Sequence, residues 1–298
     1  MPTLTHLSPN LRGVLWLLGS SAVFSVMNLT IKALGPSMPT PEVMLFRTFF
    51  GLLALTPFIL AEPKQALSIT RPWLHVLRAG LGLLAMGASF WTVSMLPLAT
   101  ATSLFFTKPL FMPILAAFFL GEAFRRQRGL ATAAGFLGVL VMLDPEGGAM
   151  LPVLVGLGGA FCVALVMIVV KKLTATEQPL AVLVWFSLLT SIGIAPLAAW
   201  MWVTPSLPQL LMLISLGVVG SLGQYMLIRA YRVGEASAIS PTDYTQLLFA
   251  GLMGLLFFGE LPSLRSWAGI AIIVGATLFL SWHERKAAPP RPSPGDLL

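Results

Sequence analysis

The sequence predicts an all-α integral membrane protein whose ten transmembrane helices form two inverted five-helix repeats around a central cavity. Three observations predict this fold class. The 298-residue chain is 57% hydrophobic and only 10% charged, whereas a soluble domain carries about 25% charged residues. Its mean hydropathy is +0.88. Its apolar residues also fall into runs long enough to cross a bilayer, and the later runs repeat features of the earlier ones.

Each predicted span follows from the length of an apolar run, because a helix needs about 20 residues to cross a bilayer. Turn-forming stretches such as "GPSMPTPE", "EPKQALSITRP", "DPEGG" and "TPSLP" separate the runs. The first run exceeds the apolar length of a signal peptide, which is roughly 7–15 residues, so it is interpreted as a span. The ten predicted spans are 11–34, 43–61, 73–95, 98–120, 128–144, 150–171, 179–203, 208–230, 236–258 and 265–283.

Basic residues in the short loops predict the orientation. With the N-terminus in the cytoplasm, thirteen Lys and Arg residues lie on the inner side and only two, Lys32 and Arg265, on the outer side. Both termini are therefore predicted to be cytoplasmic. This topology accounts for the net charge of +7, so we expect the lipid bilayer as a partner and no nucleic acid. The proline-rich residues 285–298 are predicted to form a disordered cytoplasmic tail.

Two apolar segments reveal the internal repeat. "LFMPILAAFFLGE" (110–122) and "LFAGLMGLLFFGE" (248–260) match at five of thirteen positions with a shift of 138. With a shift of 139, Lys32 falls on Lys171 and Pro57 on Pro196. The predicted repeats are 1–145 and 146–284. Because each contains an odd number of spans, the second must be inserted upside down, which is an architecture of transporters.

The two repeated segments also carry a family resemblance. "LPLATATSLFFTKPLFMPILAAFFLGE" is similar to the fourth helix of the drug/metabolite transporter superfamily, in its ten-helix EamA-type branch. "EASAISPTDYTQLLFAGLMGLLFFGELPSLRSWAGIAIIVGATLF" resembles the matching segment of the second half, and the resemblance covers 11–283. It implies transport of a small organic metabolite across the bacterial inner membrane, with spans 5 and 10 at the periphery. The branch includes exporters of amino acids and related metabolites, and importers of vitamins or nucleoside-like compounds.

Polar residues inside the spans mark the candidate binding site. Lys108 lies near the middle of span 4 and is followed by Pro109, and such a lysine usually faces a cavity or a partner. The repeat maps Lys108 onto Gln246, three residues after Asp243. We expect these three polar residues to converge where proline bends the central helices. Two interpretations stay open: a structural ion pair between Lys108 and Asp243, or a cavity lining in which Lys108 binds a substrate carboxylate.

Other polar and aromatic residues are weaker candidates. Arg47 and Arg78 lie close to the ends of their spans and are interpreted as structural. The glycines of "GFLG" and "GIAIIVG" in spans 5 and 10 predict close helix packing, and leave a monomer or a weak homodimer as the expected state. The further candidate substrate-binding residues are Tyr244, Trp91, Asn28, Gln224 and Tyr225.

The absence of two sequence motifs argues against an ATP-driven protein and a metalloenzyme. The sequence contains no GxxxxGK[ST] motif for ATP and no HExxH motif, so we expect no enzyme activity and no cofactor. The predicted function is alternating-access export of a carboxylated amino-acid-like compound: an amino acid, a derivative or a metallophore. The alternative is an importer of a vitamin or a nucleoside-like metabolite, and the alternatives of another class are a channel and a membrane enzyme. Asp243 is also a candidate site for protons as coupling ion.

The predicted topology can be tested by thiol labelling of a variant in which the native Cys162 is replaced. Cysteines introduced at Gly147 and Ser206 should react with an impermeant reagent added to intact cells, because both positions are predicted to be outside. A cysteine at Gln127 should not react until the cells are opened. Labelling of Gln127 in sealed cells would overturn the orientation.

Overall fold

A computed structural model describes residues 9–120, 126–142, 150–174, 176–233, 242 and 245–287. Throughout these ranges the regular secondary structure is helical and no strand occurs. The α-helices are α1 (Pro9–Leu34), α2 (Thr40–Ala61), α3 (Pro63–Ala66), α4 (Pro72–Met95), α5 (Leu98–Phe105), α6 (Lys108–Leu120), α7 (Arg126–Met142), α8 (Met150–Thr174), α9 (Pro179–Trp200), α10 (Leu207–Val233), α11 (Thr245–Phe258) and α12 (Leu264–Ala287).

The helices confirm the predicted membrane fold. Six of them, α1, α2, α4, α8, α9 and α10, are long and apolar enough to cross a bilayer within the described part of the chain. Span 4 consists of two helices, α5 and α6, and span 9 is described from Thr245 onward as α11. The short α3 was not predicted. The helix of span 10 continues to Ala287, so residues 285–287 of the predicted tail are helical, and 288–298 lie outside the described residues.

The packing of the helices follows the inverted repeat. The contact between α1 and α10 has its equivalent in the contact between α8 and α4, and the contact between α1 and α11 in that between α8 and α6. The pair α2 and α10 corresponds in the same way to α9 and α4. Two pairs, α2 with α9 and α7 with α12, join equivalent helices of the two repeats. This pattern is what a pseudo-two-fold axis in the membrane plane produces.

The break between α5 and α6 explains how a membrane helix accommodates Lys108 and Pro109. Helix α5 ends at Phe105, and α6 begins at Lys108, which places Pro109 in a first turn where its missing N–H leaves no helix bond unmade. Between the helices, Thr107 donates its hydroxyl to the carbonyl of Leu104 at 2.6 Å. At the equivalent position in the second repeat, Thr245 donates to the carbonyl of Thr242 at 2.7 Å, and α11 begins there.

Helix α2 crosses α9 and α10 at very short distances. At this crossing a Cβ atom on Gly217 of α10 would lie 2.5 Å from Cβ of Phe50 and 2.9 Å from the backbone nitrogen of Gly51. Hydroxyl groups add bonds at the same level: Ser221 donates to the carbonyl of Gly51 at 3.2 Å, and Ser191 of α9 donates to Thr48 at 2.8 Å. Small residues therefore let the helix backbones touch, as is typical of membrane helix pairs.

Helices α7 and α12 pack against each other through the glycines noted in spans 5 and 10. A Cβ atom on Gly138 would lie 2.9 Å from the carbonyl oxygen of Gly269, and one on Gly135 would lie 2.1 Å from a methyl group of Leu110 in α6. Gly275 has open space at its Cβ position. Three of the four glycines thus serve helix contacts within the chain.

The glycine crossing can be tested by thermal unfolding of the purified protein. Gly217→Ala should lower the melting temperature, because the new methyl group meets backbone atoms of α2 that cannot rotate away, and overpacking costs about 1–3 kcal/mol. Gly158→Ala is the matched control, since nothing lies within 4 Å of its Cβ position. The control should keep or raise the melting temperature, because alanine favours a helix over glycine. Equal melting temperatures for the two variants would contradict the close crossing.

Candidate functional site

A cavity of about 1130 Å³ lies between α2, α4, α9 and α10. Helices α2 and α10 touch at the crossing of Gly51 and Gly217, and most of the lining residues of these two helices follow the crossing toward the side predicted to be cytoplasmic. The rim on that side carries the polar side chains of Glu62 after α2, Gln65 in α3 and Gln178 before α9. The cavity is therefore closed at the crossing and open toward the predicted cytoplasm.

Arg47 of α2 lies at the closed end of the cavity. Its side chain faces Gly220 of α10: a Cβ atom there would lie 3.4 Å from Nε and 3.6 Å from Nη2 of the arginine. The Nε atom is buried and has no hydrogen-bond partner among the described residues. A partly buried arginine without a charged partner is costly in a membrane protein, so its position in a cavity wall makes it a candidate for contact with a ligand.

Arg78 of α4 also lines the cavity, but it already has partners. Its Nη1 group donates to the carbonyl of Val182 at 2.6 Å, and its guanidinium lies 4.4 Å from the ring centre of Phe186. Both partners belong to α9. Arg78 is only 8% exposed, and its Nε atom is buried without a partner in the described part of the chain. This arginine therefore joins two helices, which agrees with the structural role interpreted from the sequence.

Aromatic rings form the part of the cavity wall nearer the rim. Phe58 of α2 and Tyr225 of α10 stack with ring centres 6.2 Å apart and planes 27° apart, and their exposed fractions are 50% and 39%. Tyr225 is fixed from two sides: Arg229 donates to its hydroxyl at 2.9 Å, and Trp16 packs edge-on against its ring. Gln224 lies beside it in the wall. Gln224 and Tyr225 are thus the predicted candidates that line this cavity.

The other predicted candidates lie at the starts of α6 and α11, within α1 and α4, or outside the described residues. Lys108 is the first residue of α6, and its ammonium lies 5.8 Å from the ring centre of Phe106. Gln246, in the first turn of α11, accepts a bond from Ser25 of α1 at its carbonyl, at 3.4 Å. Asn28 is buried in α1, and Trp91 is half-buried in α4.

The convergence of Lys108 with Asp243 and Gln246 stays a prediction. Asp243 and Tyr244 lie outside the described residues. Among the described residues, no carboxylate lies within ion-pair distance of Lys108. Lys108 is also absent from the wall of the cavity between α2, α4, α9 and α10.

Arg47 and Arg78 were not among the binding residues predicted from the sequence. Both were counted as shallow from the start of their spans, which suggested that their charged groups reach the surface. The structure instead turns Arg47 and Arg78 toward the space between helices. The general signal was present, because any charged residue inside a span marks a candidate functional site. What depth alone could not give is the direction of the side chain around the helix axis.

An ion pair joins three segments at the end of the bundle that is predicted to face outward. Lys32 was counted as an outer loop residue, but it lies in the last turn of α1 and pairs with Glu260 at 2.5 Å. Its ammonium also donates to the carbonyl of Leu96 at 2.5 Å, and Glu260 accepts a bond from the N–H of Leu98 at 3.1 Å. The left-handed turn at Gly259, with φ of 65°, positions the carboxylate. The pair thus joins α1, the α4–α5 turn and the α11–α12 turn.

Carboxylates also join the two repeats near both ends of α9. On the predicted cytoplasmic side, Glu177 accepts bonds from the N–H groups of Thr70 and Arg71, at 3.0 and 2.9 Å, and pairs with His75. Burial raises the pKa of the Glu177 carboxyl, but these hydrogen bonds outweigh burial, so its pKa lies below the ordinary value. On the outer side, Glu42 accepts a bond from the N–H of Val203 at 3.1 Å.

Comparison with known proteins gives a consistent result. The model of the EamA-like transporter family matches residues 11–144 and 150–282. A protein named S-adenosylmethionine uptake transporter, from Rickettsia prowazekii (strain Madrid E), is 36% identical, covering 93% of this chain and 95% of the relative.

Other relatives carry different names. A riboflavin transporter of Vibrio cholerae serotype O1 is 30% identical over 93% of this chain and 95% of its own. A pseudopaline exporter of Pseudomonas aeruginosa (strain UCBPP-PA14) is 30% identical over 90% and 95%. A crystal structure of 19% identity has a TM-score of 0.65 over 93% of this chain and 99% of that chain, which shows a shared fold.

The outer ion pair can be tested by a double-mutant cycle on thermal stability. Lys32→Met and Glu260→Gln should each lower the melting temperature, because each leaves a partly buried partner group without its opposite charge. The double variant should lose less than the sum of the two single losses, with a coupling of about 0.5–3 kcal/mol. Lys64→Met, which removes an exposed lysine of α3, is the matched control and should change little. Strictly additive losses would show that the two charges do not act as a pair.

Proposed function

The chain belongs to the EamA-like transporter family, and on that premise we propose that it is a secondary carrier of a bulky, carboxylated amino-acid-like metabolite. S-adenosylmethionine is the first candidate substrate. The chain is a multi-pass membrane protein that carries a small molecule, and it is not an enzyme. Transport proceeds by alternating access: the two inverted repeats expose one site first to one side of the membrane and then to the other.

The cavity between α2, α4, α9 and α10 carries this proposal. Binding sites for small molecules usually measure about 300–1,000 Å³, so a cavity of about 1130 Å³ accommodates more than a simple amino acid. An arginine at the closed end suits a carboxylate, because its planar guanidinium can donate two parallel hydrogen bonds. Aromatic rings nearer the rim suit a heterocycle, and their faces also attract a sulfonium cation.

The relatives support a substrate of this size and polarity. S-adenosylmethionine joins an amino acid to a nucleoside through a sulfonium, and thus combines a carboxylate with an aromatic heterocycle. The four relatives named for its uptake are 35–36% identical to this chain. Their names favour uptake as the direction, in place of the export predicted from the family resemblance. The riboflavin transporters support an importer of a vitamin as the second candidate, because they match at similar coverage with 30–31% identity.

Lys108 and Gln246 keep a proposed role in the translocation pathway of the substrate. Lys108 and Gln246 lie at equivalent helix starts of the two repeats, and transporters commonly place sites at such discontinuous helices. We propose that both line the path beyond the cavity, together with Asp243, Tyr244, Asn28 and Trp91. Asp243 remains the candidate for proton coupling.

Location and oligomeric state complete the proposal. The family favours a bacterial inner membrane, and the loop charges favour both termini in the cytoplasm. Gly138 and Gly269 meet each other within the chain, so the faces considered for a dimer are partly occupied. This favours a monomer.

The proposed substrate can be tested with the purified protein in liposomes. Labelled S-adenosylmethionine should enter with saturable kinetics, and unlabelled S-adenosylmethionine should compete. Riboflavin should not compete if the first candidate is correct. Entry proportional to concentration without saturation would indicate a channel. Competition by riboflavin alone, with no transport of S-adenosylmethionine, would favour the second candidate.

The direction can be tested in intact cells that express the protein. External S-adenosylmethionine should accumulate inside these cells and not inside cells that carry an empty vector. Faster loss of preloaded substrate without any accumulation would favour export.

A further inference from the structure

We propose that the cavity recognises its substrate at two separate points: Arg47 binds the carboxylate at the closed end, and the stacked pair of Phe58 and Tyr225 contacts an aromatic ring near the rim. The inference depends on the proposed function, because it assigns two parts of one substrate to two parts of this cavity. It also places the carboxylate on Arg47, where the sequence predicted Lys108.

Arg47 lines the cavity and has no hydrogen-bond or ion-pair partner among the described residues. Among the described residues, no carboxylate lies within ion-pair distance of it, and its buried Nε–H group donates to no acceptor. A partly buried positive charge without compensation is unfavourable. A substrate carboxylate in the cavity would supply the opposite charge and an acceptor for the guanidinium. Because the Nε and Nη2 side of Arg47 already packs against Gly220, the carboxylate would approach the guanidinium from the cavity.

Arg78 is a poorer carboxylate site, although it lines the same cavity. Its Nη1 group is already bonded to the carbonyl of Val182, and its plane covers the ring of Phe186. A ligand could use only the remaining N–H groups of this guanidinium, which is 8% exposed and is covered on one face by Phe186. Arg47 has no such bond or ring contact among the described residues, which favours Arg47 as the carboxylate site.

The second point is an aromatic surface that is fixed before a ligand arrives. Tyr225 is held by the hydrogen bond from Arg229 and by the edge of Trp16. Phe58 lies against Tyr225 and is half exposed in the cavity wall. A ring that is already oriented loses little conformational freedom when it stacks on a ligand, and such ring pairs prefer centre distances of about 4.5–7 Å.

The spacing of the two points sets a length for the substrate. Phe58 follows Arg47 by eleven residues on α2, which is close to three full turns of 3.6 residues, so both project from nearly the same face. Their Cα atoms are separated by roughly 16 Å along the helix axis at 1.5 Å per residue. The guanidinium of Arg47 lies against Gly220, which is five residues before Tyr225 on α10, or roughly 7.5 Å along that helix. A compound with a carboxylate at one end and a heterocycle at the other, such as S-adenosylmethionine, can contact both points, whereas methionine or a nucleoside alone contacts one.

The test is the binding of three ligands to purified, normally folded variants in detergent. S-adenosylmethionine offers both groups, methionine only the carboxylate, and 5′-methylthioadenosine only the heterocycle. Arg47→Gln should weaken S-adenosylmethionine and methionine about 10-fold or more, since a charge-assisted hydrogen bond is lost, and leave 5′-methylthioadenosine unchanged. Phe58→Leu should show the opposite selectivity, weakening S-adenosylmethionine and 5′-methylthioadenosine by about 3-fold or more. Arg47→Lys keeps the charge without the planar fork and should fall between wild type and Arg47→Gln.

Matched controls replace an arginine and a phenylalanine that lie outside the cavity. Arg71→Gln removes an exposed arginine at the start of α4, and Phe49→Leu removes an exposed phenylalanine of α2. Neither should alter any of the three affinities by more than about 2-fold, because neither side chain lines the cavity. The melting temperature of each variant confirms that it is folded, and Arg47→Lys serves if Arg47→Gln does not fold.

The outcomes separate this inference from the proposed function. If wild-type protein binds S-adenosylmethionine but Arg47→Gln weakens all three ligands equally, or none, the two-point recognition is wrong. If Lys108→Gln shows the carboxylate-selective loss and Arg47→Gln does not, the carboxylate belongs at the helix break and the assignment to Arg47 is overturned. If wild-type protein binds none of the three ligands, the proposed substrate class fails, and the two-point inference fails with it.

Discussion

The structure depends on one constraint: inside a bilayer, every backbone N–H and carbonyl group must find its hydrogen bond within the protein. The chain meets this constraint with helices, and it interrupts a span only where other groups take over. Between α5 and α6, the hydroxyl of Thr107 donates to a carbonyl at the break, and Thr245 does the same at the equivalent start of α11. Because the repeat is inverted, the second half of the chain uses the same type of hydrogen bond at the equivalent position. The equivalent starts of α6 and α11 and the contacts of α2 with α9 and of α7 with α12 follow from this duplicated framework.

Much of the fold could be predicted from the sequence, because the constraint acts on local properties. Apolar run length located most helices to within about three residues. The orientation predicted from loop arginines and lysines stays a prediction. Proline chemistry predicted a disturbed helix near Pro109, although the result is two helices instead of one bent helix. Contacts between residues far apart in the sequence could not be predicted in this way. Lys32 and Glu260 are 228 positions apart in sequence (260 minus 32), and nothing local indicates that they meet at 2.5 Å.

The candidate site was predicted less well for a related physical reason. A residue count gives the depth of a side chain in the membrane, but its direction depends on which helices are neighbours and how they are rotated. Gln224 and Tyr225 were predicted as cavity residues and line the cavity, whereas Arg47 and Arg78 were interpreted as structural and line it too. The bonds of Arg78 to Val182 and Phe186 show that one residue can both join helices and face a cavity. Structural and binding roles are therefore not exclusive alternatives for an intramembrane charge.

The glycine crossing between α2 and α10 has a mechanical consequence. Phe50 and Gly51, which touch Gly217, lie at the middle of the 22-residue helix α2, so the contact divides that helix into two lever arms of nearly equal length. If α2 pivots there by ten degrees, each end moves by roughly 3 Å, given a rise of 1.5 Å per residue, and the two ends move in opposite directions. A fulcrum at the centre thus converts one small rotation into widening on one side of the membrane and narrowing on the other.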